Sequence, residues 1–584
     1  MEKISHIEKY RHSLAHLLAA AVLELWPETK NTIGPAVDNG FYYDFEFPEG
    51  ITISEKEFNK IEQKMRELLK TWDAFSHKEV SAEEAKAHFK NNPYKLELID
   101  EIVSKGEKIT LYISGDFTDL CRGGHVDNPK KDIASNSFKL DRVAGAYWRG
   151  DEKNKMLTRV YGLAFETKEE LAAYELQREE ALKRDHKKLG KEMGLFVFSP
   201  LVGPGLPLWT PKGTIIRDLL DKYIWELRSA KGYQKVTIPH ITKKDLYETS
   251  GHWKKYADDL FKIETREGKT YVVKPMNCPH HTQIFDSEPR SYRDMPQRYA
   301  ETTMVYRDEQ SGELSGLSRV LSITQDDAHV FCRENQIEQE VFSVWDIIDN
   351  FYSTFGFNDI KVRFSRHDPE NFEKYLGTKE TWEKSESALE NLMKVRGVEW
   401  IDGTGEAAFY GPKLDFIAKD AIGRVLQVAT IQLDFLQPKN FGLEFTNEEG
   451  KKEDVVMIHC AIMGSIERFM ATLIEHTAGN FPLWLAPTQV KIIPIREEHQ
   501  PFAREIFEAL KEHGMRVDLD DSKEGLGKKV RAAKVEKIPY WLVIGDKEVE
   551  AKKATLESRD KGQLGQFDIE HLLTQFITEI KDRK

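Results

Sequence analysis

The stretch VYRDEQSGELSGLSRVLSITQDDAH, residues 305–329, decides the fold assignment of this 584-residue chain. It contains Arg307, the acidic Glu309 two positions later, and a glycine- and serine-rich turn that leads to Arg319. A hairpin of this composition can hold a polyanion, because each guanidinium offers a planar, bidentate fork to phosphate and carboxylate oxygens. The stretch therefore predicts a site for an anionic ligand.

Two apolar helices flank this hairpin in the sequence. Residues 215–228 carry one broad apolar stripe at helical spacing, followed by GYQKVTIP, which stops at Pro239. Such a stripe is most often a core helix, but its width also predicts a two-fold dimer interface. In GSIERF, Arg468 lies on the second helix, where a lone arginine could equally snorkel or pair with Glu467.

In this order, the helix–strand–proline unit, the arginine hairpin and the glycine–arginine helix resemble the three motifs of class II aminoacyl-tRNA synthetases. The resemblance implies a multidomain chain of α+β and α/β type, with a catalytic core built on an antiparallel sheet. It also implies a homodimer.

Three residues far apart in the sequence form a candidate metal site: Cys278 in KPMNCPHH, His329 in TQDDAH and His459 in VVMIHCAIMGS. One thiolate and two imidazoles are the ligand types of a three-ligand zinc site with an open fourth position. Each residue alone is more often a packed cysteine or a satisfied core histidine. Their surroundings (MNCP, TQDDAH and the MIH and ERF motifs) resemble the catalytic core of threonyl-tRNA synthetases, in which zinc binds the amino and hydroxyl groups of the substrate.

This second resemblance extends through most of the chain and implies a role for individual residues. Arg307 and Arg468 would act on the substrate carboxylate and the ATP phosphates, and His252 in SGHWKKY would be the base for the ribose hydroxyl in the transfer step. The implied partners are tRNA(Thr), L-threonine and ATP with Mg²⁺, with one Zn²⁺ per chain. The implied threonine and ATP pocket comprises Met276, Glu309, Arg319, Gln325, Asp327, Tyr410, Lys413, Gln427, Thr430 and Gln432.

Amino-acid selection predicts a second, hydrolytic site. A metal that requires a hydroxyl ligand rejects valine steeply, because valine leaves a buried polar site without its partner. Serine keeps the hydroxyl and is one methyl group smaller, so its rejection is limited to ~1–3 kcal/mol. The synthetic site alone would therefore release seryl products.

The N-terminal segment supplies candidates for that site. His12 and His16 stand one turn apart on a predicted helix over residues 12–25, and GDFTDLCRGGHV adds Asp119, Cys121 and His125. By spacing, the histidines and the cysteine could form a tetrahedral zinc site. The segment, with NGFYYDF and NPYKLEL, resembles the editing domain of threonyl- and alanyl-tRNA synthetases. The resemblance implies hydrolysis of seryl-tRNA by these residues and Lys95 without a metal, and no ubiquitin-like domain is expected ahead of the first helix.

Four domains are predicted along the chain. Residues 1–165 form the editing domain, and 166–198, rich in charged helix formers, form a connecting helix. Residues 199–487 form the catalytic domain. Residues 488–584 alternate strand and helix, which predicts a largely parallel sheet, and resemble the anticodon-binding domain of related synthetases. There LGKKVRAAKVEK is a local basic helix suited to phosphates, and Glu548 is a candidate for reading a base edge.

The amino-acid composition restricts the possible functions less than the motifs do. The net charge of −13 weakly disfavours a nucleic-acid partner, so the motifs decide. Four cysteines in so long a chain do not indicate a disulfide framework. No apolar run approaches the ~18 residues of a membrane span, and the N-terminus lacks a signal-like apolar region, so a cytoplasmic protein without membrane contact is expected.

Two other classes of protein compete with the enzyme: a non-catalytic tRNA-binding regulator on a synthetase scaffold, and a deacylase that only edits. The first typically loses the ATP arginines or the metal ligands, and this sequence retains both; the second would not need residues 200–584. The sequence departs from the family at Leu321, Ile323 (commonly an adenine-stacking phenylalanine), Cys460 and Glu557. We expect these departures to tune the sites, not to abolish them, although Glu557 puts direct base readout in doubt.

Overall fold

The computed structural model describes residues 4–584, apart from the side chains of Lys255 and Ser311. The chain forms two compact units that divide between residues 179 and 180, and each is described by itself. Among the described residues, no helix has the length and apolar character needed to cross a membrane.

The first unit packs helices on two antiparallel sheets. Ser5 and Glu8 form a capping box at the start of the first helix, and its apolar residues enter the core of the unit. The helices are α1 (His6–Leu25), α2 (Phe58–Leu69), α3 (Ala82–His88), α4 (Pro93–Ser104) and α5 (Pro129–Asp132), and α6 (Lys168–Arg184) runs across the division at residue 179. The strands are β1 (Lys30–Asn31), β2 (Ala36–Val37), β3 (Gly40–Glu46), β4 (Ser76–Val80), β5 (Ile109–Ser114), β6 (Phe117–Leu120), β7 (Phe138–Tyr147) and β8 (Met156–Ala164). One sheet has the order β1-β3-β8-β7 with β2 beside β3, and the other has the order β4-β5-β6.

The predicted connecting helix is two helices. α6 ends at Arg184, and α7 (His186–Glu192) begins after Asp185, whose side chain accepts a hydrogen bond from the Lys187 N–H. Asp185 has non-helical backbone angles, as N-cap residues do. The prediction of one continuous helix is therefore wrong, because composition reports helix formers but not the aspartate that ends one helix and begins the next.

An eight-stranded sheet forms the centre of the second unit, in the order β11-β16-β17-β24-β21-β20-β18-β19. The pairs β11·β16 and β18·β19 are parallel and the other pairs are antiparallel, so the predicted antiparallel core is confirmed. The strands before the C-terminal domain are β9 (Phe196–Val197), β10 (Leu208–Trp209), β11 (Gln234–Lys235), β12 (Ile241–Lys243), β13 (Lys262–Glu264), β14 (Thr270–Val273), β15 (Arg290–Ser291), β16 (Gln297–Tyr306), β17 (Ser322–Cys332), β18 (Ile360–Arg366), β19 (Trp400–Thr404), β20 (Lys413–Lys419), β21 (Val425–Asp434), β22 (Glu444–Thr446), β23 (Lys452–Asp454) and β24 (Val456–Ser465). The helices of this part are α8 (Pro211–Ala230), α9 (Lys244–Thr249), α10 (His252–Lys255), α11 (Cys278–Asp286), α12 (Ile337–Thr354), α13 (Lys379–Arg396), α14 (Leu436–Asn440) and α15 (Ile466–Thr477).

The apolar stripe of residues 215–228 lies on α8, and part of it is buried within the same chain. Ile216, Leu220 and Ile224 belong to the main core cluster of the unit. Tyr223 packs on Phe351 of α12 and donates a hydrogen bond to, or accepts one from, the Thr354 hydroxyl at 2.7 Å. Ile215, Leu219 and Leu227 of the stripe are only half-buried, so its role at a dimer interface stays a prediction.

The C-terminal domain holds a five-stranded sheet in the order β26-β25-β27-β28-β29. Its strands are β25 (Val490–Pro494), β26 (Val517–Leu519), β27 (Tyr540–Ile544), β28 (Ala554–Ser558) and β29 (Gly562–Phe567). Its helices are α16 (Gln500–Glu512), α17 (Leu526–Val535), α18 (Asp546–Ala551) and α19 (Ile569–Lys581). The first three strands are parallel, as predicted, whereas β28 and β29 add an antiparallel edge. The sheet is therefore mixed and not largely parallel.

Candidate functional site

Two cavities hold most of the predicted site residues, one on the eight-stranded sheet and one in the N-terminal unit. The first, of about 270 Å³, is lined by Met276, Cys278, Arg307, Gln325, Asp327, His329, Tyr410, Gln427, Thr430, Gln432, His459 and Arg468, among others. Of the predicted residues for threonine, ATP and transfer, His252, Glu309, Arg319 and Lys413 are not in its lining. The contacts of all four residues are described below.

Strand register brings the candidate metal ligands together. His329 on β17 lies directly opposite His459 on β24, and Cys278 begins α11 beside them. One ligand atom from each of the three lies within 4.8 Å of the other two, and all three residues are buried. Burial raises the pKa of the Cys278 thiol and lowers the pKa of His329, and the latter keeps that imidazole in the neutral form that binds metals.

An outer layer of polar side chains orients these ligands. Asp434 lies 3.0 Å from Nε2 of His459 through a carboxylate oxygen, and the Gln437 amide donates to that oxygen and to the Cys278 sulfur. His281 Nδ1 lies 2.8 Å from Nδ1 of His329. Such partners fix the tautomer and direction of metal-binding histidines. Sequence reasoning missed these three residues, although His281 stands in the KPMNCPHH motif of Cys278, and Asp434 and Gln437 stand in LDFLQP, where the strand that carries Gln432 ends.

Asp415 is a buried acid beside the cavity and is not exposed at all. Its carboxylate pairs with Lys413 at 2.9 Å and accepts hydrogen bonds from Gln427 and Thr430. Lys413 therefore faces Asp415, which explains its absence from the cavity lining. Deeper in, Asp327 accepts a hydrogen bond from the Asn277 amide at 3.0 Å.

Three arginines lie close enough for their charges to interact, and two of them, Arg307 and Arg468, line the cavity. Arg307 has a buried Nε without a hydrogen-bond partner among the described residues, and Arg468 donates through Nε to the Ser318 carbonyl at 3.4 Å. Burial lowers the pKa of Arg468, and the charges of Arg307 and Arg319 lower it further. Mutual repulsion of this kind is relieved by an anion, so the cluster suits a polyphosphate.

Glu309 and Glu467 have other partners than the sequence suggested. The Glu309 carboxylate forms an ion pair with Arg319, and Arg319 forms a second ion pair with Glu313. Glu467 accepts hydrogen bonds from the backbone N–H and hydroxyl of Thr324, so it does not neutralise Arg468.

His252 lies behind the cavity wall and is fully buried. Its Nδ1 is 2.8 Å from the Ser250 hydroxyl, and its ring packs 5.6 Å from that of Tyr410. Burial lowers its pKa to about 3. An imidazole with this pKa is a weak proton acceptor at neutral pH, although its Nε2 has no partner among the described residues.

The second cavity, of about 380 Å³, is lined by His12, His16, Lys95, Asp119 and Cys121. Asp119 is its buried anchor, with Lys95 Nζ at 2.5 Å and a hydrogen bond from the Tyr43 hydroxyl. Sequence reasoning missed Tyr43, although it stands in the NGFYYDF segment that carried the resemblance.

His125 lies behind the cysteine and not in the cavity lining. The Cys121 sulfur is 3.6 Å from Nε2 of His12 and 3.4 Å from Nε2 of His125. One ligand atom from each of these three residues and His16 falls within 4.8 Å of the others. Burial raises the pKa of Cys121 to about 11, so the thiol form persists at neutral pH.

In the C-terminal domain, α17 is a basic helix, whereas Glu548 is not free to read a base edge. The Glu548 carboxylate accepts hydrogen bonds from the Gly545 N–H, the Thr555 hydroxyl and the Gln566 amide, so it stabilises the start of α18. Glu557 accepts a bond from the Trp541 indole. On α17, Lys528, Arg531 and Lys534 are exposed.

Comparisons with known proteins find relatives along most of this chain. Residues 261–477 match the family described as "tRNA synthetase class II core domain (G, H, P, S and T)", residues 489–579 match "Anticodon binding domain", and residues 109–161 match "Threonyl and Alanyl tRNA synthetase second additional domain". The chain is 48% identical to the "Threonine--tRNA ligase" of Cytophaga hutchinsonii over 573 residues, covering 97% of this chain and 88% of that one. It is 48% identical to the protein of that name from Rubrobacter xylanophilus, covering 95% and 85%. A crystal structure titled as the RNA binding domain of threonyl-tRNA synthetase from Cryptosporidium parvum is similar at a TM-score of 0.65 and 36% identity, covering 68% of this chain and 98% of that one.

Proposed function

This chain belongs to the threonine–tRNA ligase family, and from that premise we propose which of its residues perform each step. Its activity is the ATP-dependent ligation of L-threonine to tRNA(Thr), with hydrolysis of mischarged seryl-tRNA(Thr) as a second activity. A non-catalytic regulator is not supported, because the class II core retains its arginines.

In the activation step, the threonine carboxylate attacks the α-phosphorus of ATP, and pyrophosphate leaves. Arg307 and Arg468 stabilise the charge that develops on the phosphate oxygens, since both face the cavity. ATP binds with Mg²⁺. Arg319 then gives up its ion pairs with Glu309 and Glu313 and binds the terminal phosphates of ATP. The observation that carries this assignment is that Arg307 and Arg468 line the same cavity as the Cys/His₂ cluster, with Arg319 close to Arg468 outside the lining.

In the selection step, Cys278, His329 and His459 would hold one zinc ion. The donor set fits: the outer partners Asp434 and His281 occupy one nitrogen of each ligand histidine and leave the other for an ion. When bound, zinc offers an open position for the amino and hydroxyl groups of threonine. Asp327 and Gln325 line the same space and orient the substrate, and Gln427, Thr430 and Lys413 act from its edge through Asp415.

In the correction step, the seryl ester enters the N-terminal cavity. Lys95 and Tyr43 hold Asp119 in place, and the half-buried His12 imidazole accepts a proton from the attacking water. His16 is buried 3.5 Å from Asp119 and acts as a positioning residue beside it. Ester hydrolysis then returns serine and intact tRNA. Because Cys121 remains a thiol, it serves as a hydrogen-bond partner and not as a nucleophile.

The domain boundaries predicted from the sequence define where each step occurs. We propose editing in residues 1–165, the connection in 166–198, activation and transfer in 199–487, and anticodon binding in 488–584; the matched family segments support this division. In the transfer step the terminal ribose hydroxyl of tRNA attacks the threonyl carbonyl and AMP leaves. His252 contributes by supporting Tyr410 through ring packing, which its burial favours over direct proton transfer.

We also propose a cytoplasmic homodimer. Besides the α8 stripe, an exposed apolar segment supports the interface: Leu201 is 99% exposed, and Val197, Phe198, Val202 and Leu208 are exposed with it. A patch of this kind on a single chain indicates a contact with another protein surface.

Threonine-dependent ATP–pyrophosphate exchange, with zinc analysis, tests the proposal. Cys278→Ala should lose zinc and threonine activation together, because it removes the sulfur ligand. Cys332→Ala is the matched control: it is an equally buried cysteine that follows His329 on β17, and it should keep both. Full zinc occupancy in Cys278→Ala would contradict the assignment, and two zinc ions per parent chain would assign a second one to the N-terminal cluster.

A further inference from the structure

His186 is a buried histidine that no step above uses. It is the first residue of α7 and is 3% exposed. Its Nε2 lies 3.0 Å from the Leu317 backbone nitrogen, and its Nδ1 lies 2.6 Å from a Glu475 carboxylate oxygen. Because a backbone N–H can only donate, Nε2 is the acceptor and the ring proton sits on Nδ1, which donates to Glu475.

The Leu317 N–H belongs to the turn that carries one ATP arginine. In residues 315–319, Ser315 and Arg319 pair through their backbones, and the Ser318 N–H donates to the Ser315 carbonyl. The Ser318 carbonyl accepts from Arg468. His186 therefore binds the N–H of Leu317, and Arg468 binds the carbonyl of the next residue, Ser318.

The turn is shaped to receive the imidazole. Gly316 has a φ of +50°, which favours glycine, and a Cβ at this position would lie 2.3 Å from Nε2 of His186. Such a distance is far below van der Waals contact, so a side chain at position 316 would separate the turn from His186.

The other side of His186 is fixed to the helix that carries the second arginine. Glu475 is in the last turn of α15, whose first turn carries Arg468, and it also pairs with Arg424. Arg184 donates to the carbonyls of Glu475 and His476 at the end of the same helix. One imidazole thus joins the turn of Arg319 to the helix of Arg468.

We propose that His186 is a positioning residue for ATP: it sets the spacing between Arg319 and Arg468 through the Leu317 N–H and Glu475. The inference rests on the ATP site proposed above and adds a residue outside the cavity. Without the acceptor, the Leu317 N–H is left buried and unpaired, and the turn shifts to find another partner. ATP affinity should then fall, while the threonine pocket and the zinc ligands keep their contacts.

Two substitutions separate the two hydrogen bonds. In His186→Gln, the amide oxygen reaches the position of Nε2 and still accepts from Leu317. In His186→Asn, the shorter amide can donate to Glu475 but does not reach Leu317. Exchange kinetics should show an about tenfold higher KM for ATP in His186→Asn, with nearly parental KM for threonine, kcat and zinc content, and recovery of the ATP value in His186→Gln.

Gly316→Ala provides a second route to the same displacement and should also raise the KM for ATP selectively. Deacylation of seryl-tRNA should remain parental in all three variants. A parental KM for ATP in His186→Asn and Gly316→Ala would overturn the inference. The same conclusion would follow if the KM for threonine and the KM for ATP rose in parallel in both His186→Asn and His186→Gln. If the parent itself lacks threonine-dependent exchange, the proposed function fails and not this inference alone.

Discussion

Replacing Asp434 by asparagine should weaken metal binding without touching a metal ligand. Asp434 is fully buried; one of its oxygens accepts from the backbone N–H groups of Leu436 and Gln437, at 2.7 and 3.0 Å. The other oxygen faces His459 Nε2 at 3.0 Å and the Gln437 amide at 3.1 Å. In the variant, the asparagine oxygen keeps the two backbone N–H groups, so its NH₂ group faces the His459 Nε2–H and the Gln437 amide, which are both donors. His459 can relieve this contact only by moving its proton to Nδ1, which removes the lone pair needed by an ion.

The size of the effect follows from the lost contact. A hydrogen bond to a charged group contributes about 1.5–3 kcal/mol. Outer partners of metal-binding histidines typically change metal affinity by about 10- to 100-fold, which corresponds to about 1.4–2.8 kcal/mol. The two ranges agree, so we expect zinc affinity to fall by that factor and threonine activation to recover when zinc is added in excess.

Competition with a chelator, followed by zinc analysis and exchange assays at several zinc concentrations, measures this prediction. Asp420→Asn is the matched control, since Asp420 is another buried carboxylate that accepts two loop N–H groups and a side-chain donor, at the turn between β20 and β21. The control should be destabilised similarly but keep its zinc. Parental zinc affinity in Asp434→Asn would refute the orienting role, and so would a loss of activity that added zinc does not reverse.

Three further predictions concern the other sites. His12→Ala combined with His16→Ala should leave threonine charging nearly unchanged but accumulate seryl-tRNA when serine is supplied; parental deacylation would exclude the N-terminal cavity as the editing site. Because the pKa of Cys121 is raised to about 11 from 9, its alkylation at pH 8 should be about a hundredfold slower than that of an ordinary thiol and should increase as pH rises, which peptide mapping can follow. A rate equal to that of the unfolded chain at pH 8 would show that the thiol is not protected. Leu201→Arg should shift the protein toward the monomer in sedimentation experiments, whereas an unchanged dimer would locate the interface elsewhere.

The sequence alone was sufficient where short motifs carry the chemistry. Cys278, His329 and His459 stand in local patterns that identify the family, and the same holds for Arg307 in the hairpin and Arg468 on its apolar helix. The antiparallel core and the ligase activity followed from these motifs and are confirmed.

Only the tertiary structure decided which groups support those residues. Asp434 and Gln437 reach the metal ligands because β21 lies beside β24, and the spacing between segments in the sequence does not report strand register. Burial likewise cannot be read from a stripe: the sequence of α8 does not show which of its apolar residues enter the core of their own chain and which stay half-buried.

The same limit applies to single polar residues. Asp185, Glu548 and His186 have ordinary surroundings in the sequence, but the first divides the connecting helix, the second caps α18 and the third joins two arginine-bearing elements. A motif specifies the residues that meet a ligand because their chemistry must match that ligand. The partners of those residues are set by which distant segments the fold packs together, and each such contact depends on non-local geometry that no short pattern encodes.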